Sequence, residues 1–177
     1  MSNASLSEGI ENAAPAAPKP TPVKGLLILG ALVVVIGLFL ALGYALGVTQ
    51  LWVGFVFLLF WGQEQFKFEK LSACILGALS GLGVAYAVQV LPPVLGPAGL
   101  APIVGLILVM MYCAIMGWLT VAINTTCWAF LTIGTISVIQ AQVDFRGSFV
   151  ALALGITYFA GLAWLAQLFM QRAAAKT

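Results

Sequence analysis

Long apolar runs alternate with short polar knots along most of this chain, and the knots come in two matching copies. Leu51 to Gly62 (LWVGFVFLLFWG) is uncharged and mostly bulky. It runs into Gln63 to Lys70, which carries Glu64, Lys67, Glu69 and Lys70. A second run, Cys127 to Ile139, leads into Gln140 to Gly147, with Asp144 and Arg146. Each run has a Trp near its start, Trp52 and Trp128. Each leaves through Gln-x-Gln-apolar-x-Phe: Gln63, Gln65, Phe66 and Phe68 in the first copy, Gln140, Gln142, Val143 and Phe145 in the second.

The pattern predicts an all-α, polytopic membrane protein with four long and two short transmembrane helices, arranged as a 3+3 inverted repeat. Residues 1–24, with Pro15, Pro18, Pro20 and Pro22, form a disordered cytoplasmic tail, because such a segment buries too little apolar surface to offset its ordering entropy. Glu8 and Glu11 stand where a signal peptide would be basic. Residues 25–92 are the first membrane half, 93–101 an uncharged Pro/Gly linker, 102–170 the second half and 171–177 a cytoplasmic tail.

Gly25 to Val48 would reach about 36 Å as a helix, enough for a hydrocarbon core of about 30 Å. Leu51 to Gly62 would reach only about 18 Å. Either the preceding turn lies earlier, near Gly43 to Gly47, or the short piece is re-entrant and covered by protein or water. Leu71 to Leu91 follows as a long span, with Gly77, Gly81 and Gly83 offering a small-residue face for close helix packing. Pro102 opens the fourth span in its first turn, and that span runs to about Ile123. Ser148 to Met170 is the last. Three crossings per half put the second half into the membrane upside down, the plan of many transporters. With the N-terminus inside, Lys19, Lys24, Lys67, Lys70, Arg172 and Lys176 fall on the cytoplasmic face and Arg146 alone outside. That bias predicts cytoplasmic termini.

Composition sharpens the picture. The chain has 177 residues, 63% hydrophobic and 7% charged, against about 25% charged in soluble domains. Mean hydropathy is +1.13. Lipid is therefore its solvent. A net charge of +2 without a basic patch excludes nucleic acid as a partner. There is no His, and Cys74, Cys113 and Cys127 lie in apolar runs without metal-ligand spacing, so no metal and no cofactor is expected. No nucleophile–base set or phosphate loop points to an enzyme. No charge lies deep in a span, which argues against proton coupling.

Neutral polarity remains. On a helix from Asn124, the residues Thr125, Trp128, Thr132 and Thr135 share one face. The matching face of the first short run is Trp52, Phe55, Leu59 and Gln63. A solute path between these faces would have hydroxyls on one wall and an apolar slot on the other. The plainer alternative is that the Thr hydroxyls bond the preceding turn and that Trp52, Trp61 and Trp128 anchor at the interface. Likewise, Glu64, Lys67, Glu69 and Lys70 read either as solvated headgroup-level pairs or as a gate.

LWVGFVFLLFWG, the span GALSGLGVAYAV and NTTCWAFLTIGT together resemble a domain-of-unknown-function family of small bacterial inner-membrane proteins. Its members carry a Trp-x-Gly-Phe short span and glycine-rich spans. The resemblance covers about residues 27–168 and implies a bacterial inner-membrane location without assigning a catalytic residue. Two functions follow as expectations. One is a channel or facilitator for a small neutral solute, as a homo-oligomer in lipid. The other is an accessory subunit packed against a larger membrane complex.

Overall fold

The computed structural model describes residues 21–174, and every regular element among them is helical. The helices are α1 (Pro22–Ala45), α2 (Trp52–Gln63), α3 (Phe68–Leu95), α4 (Leu100–Ile115), α5 (Thr125–Gly134), α6 (Ser137–Gln142) and α7 (Phe145–Ala174), with a 3-10 turn at Gly96–Gly99. Three stretches are long and apolar enough to cross a membrane: Gly25–Ala45, Phe68–Leu95 and Phe145–Arg172. Shorter apolar helices make up the rest.

The chain divides into two units at Leu38/Phe39. In the first, α1 opens on Pro22, whose fixed φ suits a first helical position. Pro22–Lys24 are therefore helical, although they fall inside the expected disordered tail; residues 1–20 lie outside the described ones. Leu26, Leu27, Ile28, Val33 and Val34 are all exposed, as befits side chains meant for lipid.

The second unit holds the core. Within it α1 ends in a Schellman motif: Gly47 at φ +69° donates to the Tyr44 carbonyl (3.1 Å) and Val48 to that of Gly43 (2.9 Å). The turn thus lies at Leu46 and Gly47, within the earlier window, Gly43 to Gly47, that the sequence offered. The same motif stops α4. Gly117 sits at φ +68°, its amide bonds Ala114 (3.2 Å), and Trp118 bonds Cys113 (2.8 Å). The expected fourth span to Ile123 therefore breaks at Ile115, leaving 16 residues, about 24 Å of helix. The uninterrupted apolar sequence hides this stop.

The expected linker is also different. α3 continues through Pro92 and Pro93 to Leu95 and ends only where Gly96 takes φ +65°. Proline keeps a helical φ but removes an N–H and crowds the carbonyl one turn back, and α3 carries the pair only in its last turn. The 3-10 turn then folds back, with Gly99 against the Leu91 carbonyl.

Two helix pairs make the body. In the first, Asn124 lies against Gly77, the Cys127 carbonyl and Phe130 Cβ against Gly81, and Gly134 against Ala85. α5 therefore runs alongside α3 in the same direction. In the second, Gly147 lies beside Gln50, and a Cβ at Gly155 would stand 2.8 Å from the Gly54 Cα. α2 and α7 are therefore parallel to each other. The start of α3 adjoins the end of α2, while Tyr86 and Gln89, farther along α3, meet the start of α7. α3 thus runs opposite to α2 and α7. Trp61 closes the α2–α3 corner rather than anchoring in lipid. It is fully buried, donates to the Lys67 carbonyl (3.1 Å) and meets Phe66 and Phe68 edge-on at 5.3 and 5.6 Å. Phe39, also fully buried, packs on Phe55, Tyr158 and Phe159.

The small-residue face divides accordingly. Gly77 and Gly81 face α5 closely, whereas Gly83 has open space beside it. Gly81→Leu should drive the helices apart, because its Cβ meets a backbone oxygen that cannot rotate away. Overpacking of this kind costs about 1–3 kcal/mol. Thermal unfolding in detergent should show a lowered midpoint and folded yield for Gly81→Leu, and values near the parent for Gly83→Leu. Equal stability of the two variants would contradict the packing described.

Candidate functional site

A polar cavity forms where α5 begins. Asn124 has an extended backbone (φ −135°, ψ −176°), and its Oδ1 accepts from the Cys127 amide at 3.1 Å, an N-cap. Its Nδ2 donates to the carbonyls of Ala73 in α3 (2.8 Å) and Val121 (3.0 Å). One side chain therefore starts the helix and ties it to its neighbour. The Ser80 hydroxyl adds a second tie, 2.6 Å from the Ala122 carbonyl and also near its own helix's carbonyls at Leu76 and Gly77.

The cavity has a volume of about 120 Å³. Ala73, Cys74 and Thr126 form its inner part, Thr120, Asn124 and Thr125 one wall, and the exposed Glu64 and Lys70 its rim. Thr126 is 5% exposed and Cys74 4%, and the Thr126 hydroxyl is bonded with the Cys74 thiol. The first intrahelical bond runs from Trp128 to the Asn124 carbonyl (3.1 Å), so the helix itself leaves the amides of Thr125 and Thr126 unpaired. Donors and acceptors therefore stand together in a space for about four waters, at about 30 Å³ each.

The other end of α5 is held by glutamines. The chain breaks at Thr135 and Ile136 before α6. Gln140 Nε2 donates to the Ala85 carbonyl (3.0 Å) and to that of Gly134, and Gln89 Nε2 to Gln140 O (2.9 Å) and Val143 O (3.1 Å). Carbonyls that a broken helix would otherwise leave open are thus satisfied inside the protein.

The sequence-predicted path residues do not gather at one point. Asn124 and Thr125 line the cavity. Trp128 is half-buried and packs on the cluster of Val84, Ile103, Met110, Cys127 and Leu131. Thr132 and Thr135 are exposed, and the Thr135 hydroxyl reaches back to the carbonyls of Leu131 (2.9 Å) and Thr132 (3.1 Å). Trp52 Nε1 donates to Gln50 Oε1 (3.1 Å), Phe55 stacks edge-on with Phe39 (5.4 Å), and Gln63 is exposed at the end of α2. The enclosed faces are Val53, Gly54, Phe57 and Trp61 in α2, and Thr126, Cys127, Phe130, Leu131 and Gly134 in α5. Sequence reasoning missed Cys74 and Thr126. The Asn-Thr-Thr motif signalled where the helix begins, but not which Thr turns inward.

Against family models, curated proteins and solved structures, the chain matches none.

Asn124 separates two contributions experimentally. Asn124→Ser keeps an oxygen for the cap but is too short to reach Ala73, while Asn124→Ala removes both. The cap alone contributes about 1 kcal/mol, and leaving the Ala73 carbonyl unpaired costs about 1–3 kcal/mol. Denaturation in detergent should rank stability as parent, then Ser, then Ala. If Ser matches the parent, the bridge to α3 contributes nothing.

Proposed function

We propose that this chain is a membrane facilitator for a small uncharged polar solute, which enters at the cavity of Cys74, Asn124, Thr125 and Thr126. The observation that carries this reading is the interrupted helix: α5 begins inside an apolar sequence and opens on a partly open polar cavity of about 120 Å³. Irregular backbone at membrane depth is tolerated where it lines such a space, and transporters place their sites at the ends of broken helices. The volume suits a solute of about four to six heavy atoms, judged against about 30 Å³ for a water. Opposite charges at the rim, on Glu64 and Lys70, leave no net attraction for an ion of either sign.

In this reading α2, α4 and the α5–α6 pair cross together with the three long helices, as a 3+3 inverted repeat. Reciprocal packing supports it: the short helix of each half lies on the third helix of the other, α2 on α7 and α5 on α3. The third helices also start at matched residues, Phe68 and Phe145. The bacterial inner membrane is the proposed location, with both termini cytoplasmic, as the Lys/Arg distribution favours. The exposed hydroxyl face of Thr132 and Thr135 is offered to lipid or to a second copy in a homo-oligomer.

Accessory packing against a larger complex is the second reading. It is favoured by α4, a helix of 16 residues that exposes Val104, Leu108, Val109, Tyr112 and Ile115. Purification from native membranes with a foreign protein at fixed stoichiometry would support it.

Swelling of proteoliposomes in water, urea, acetamide or glycerol tests the facilitator. Thr126→Val keeps the shape and removes a hydroxyl inside the cavity. A polar partner left unmade costs about 1–3 kcal/mol, so flux should fall about 5- to 150-fold at about 1.4 kcal/mol per tenfold. Thr132→Val, on the exposed face, should leave flux near the parent's. No solute crossing faster than in empty liposomes would remove the facilitator reading.

A further inference from the structure

We propose that α6 is a gate at the end of the α3–α5 pair away from the polar cavity, held shut here by a latch of two glutamines, Gln89 and Gln140. The inference rests on the facilitator reading and concerns how that path is opened and closed. The cavity stands at the first turn of α5, beside Ala73 and Cys74 of α3. Gln89 lies about 24 Å farther along α3 than Ala73, at about 1.5 Å per residue. At that level Gln140 Nε2 bridges two carbonyls, that of Gly134 at the end of α5 and that of Ala85 in α3 (3.0 Å), and so clips one helix to the other. Gln89 Nε2 in turn holds the carbonyls of Gln140 within α6 (2.9 Å) and of Val143 just past it (3.1 Å). One end of the pair therefore opens on a polar cavity and the other is closed by side-chain amides. A carrier with access from one side at a time needs that asymmetry.

The segment under the latch is the one free to move. α6 has six residues, none of them buried, and no side chain caps its start. Extended residues flank it, Ile136 (φ −60°, ψ +130°) and Val143 (φ −93°, ψ +128°), so it can swing as a unit about two short joints. α3 is also weakened at this level. The helical donors due to the Gln89 carbonyl, three and four residues on, are Pro92 and Pro93, which have no N–H. A groove beside the latch, with Val88 of α3 on one side and Ala141 of α6 on the other, leaves room for the swing. The seam at Gly81, filled by the Cys127 carbonyl, has no such freedom.

The latch sets the balance between closed and open. Removing the donors of one glutamine should shift it about tenfold toward open, for about one net hydrogen bond at about 1.4 kcal/mol per tenfold.

The test uses the full chain in proteoliposomes, with the flux of urea, acetamide and glycerol measured per folded chain. Gln89→Met and Gln140→Met keep the length of the side chain and remove its donors. Each should raise flux about tenfold, and amide hydrogen exchange in α6 should quicken. A glutamine that only staples the fold would quicken exchange and leave flux per folded chain unchanged. That result, or a fall in flux, overturns the gate and leaves the facilitator reading standing. No flux in the parent or in either variant removes the facilitator and the gate together. Where the Met variants do not fold, Val88→Cys and Ala141→Cys are introduced together and bridged by a reducible cross-linker. Bridging should lower flux about tenfold relative to the parent given the same reagent, and dithiothreitol should restore it. Flux that bridging leaves unaffected overturns the proposal.

Discussion

The backbone of α5 rests directly on α3, and the rest of the body depends on that contact. Between helices in lipid the hydrophobic effect gives little, so association relies on close packing and on hydrogen bonds across the seam. Here the seam has both. Gly81 admits the Cys127 carbonyl, Gly134 meets Ala85, and Asn124, Ser80 and Gln140 bond across to backbone carbonyls. A helix of ten residues, about 15 Å long, cannot hold its own position in a bilayer. Fixed at both ends to a helix of 28 residues, it can, and the polar cavity is the space left where its first turn begins.

Much of this was legible in the sequence. The long apolar runs gave the long helices, the Gln-x-Gln knots fell at the helix corners, and Gly77 and Gly81 lie at the tightest seam. What was hidden had physical causes. Gly117 ends α4 through a left-handed backbone in a run that stays apolar on both sides, so periodicity carries no trace of it. Pro92 and Pro93 signal a stop, yet the stop comes two residues later, at Leu95, because proline's φ is helical and the pair sits in the last turn. The helical face chosen for the path was a phase problem. Thr125 and Thr126 differ by one position, about 100° on a helix, and the sequence does not say which of them turns toward α3. The Asn124 cap decides it, and burial goes to Thr126.

The two ends of α5 illustrate how a membrane protein uses backbone polarity. At the C-terminal end, where the helix breaks, glutamine side chains satisfy the open carbonyls and the interior is sealed. At the N-terminal end, the cap satisfies the Cys127 amide, and Thr125 and Thr126 of the first turn line the cavity. The same polar groups that would be a liability in hydrocarbon are here gathered around one small polar cavity. Hydroxyls elsewhere are neutralised locally: Thr135 and Thr157 each bond a carbonyl one turn back and present a nearly apolar surface.

The notch at Gly81 constrains how the sequence can drift. What fills it is the carbonyl of Cys127 and the Cβ of Phe130, atoms common to almost every residue type. A side chain gained at position 81 therefore finds no compensating change at position 127. Gly54 is different, because its nearest neighbour is the Phe39 ring, which a smaller residue would withdraw. Positions 54 and 39 can accordingly change together over generations. Position 81 can only stay as it is, and a glycine there should look invariant without any covarying partner.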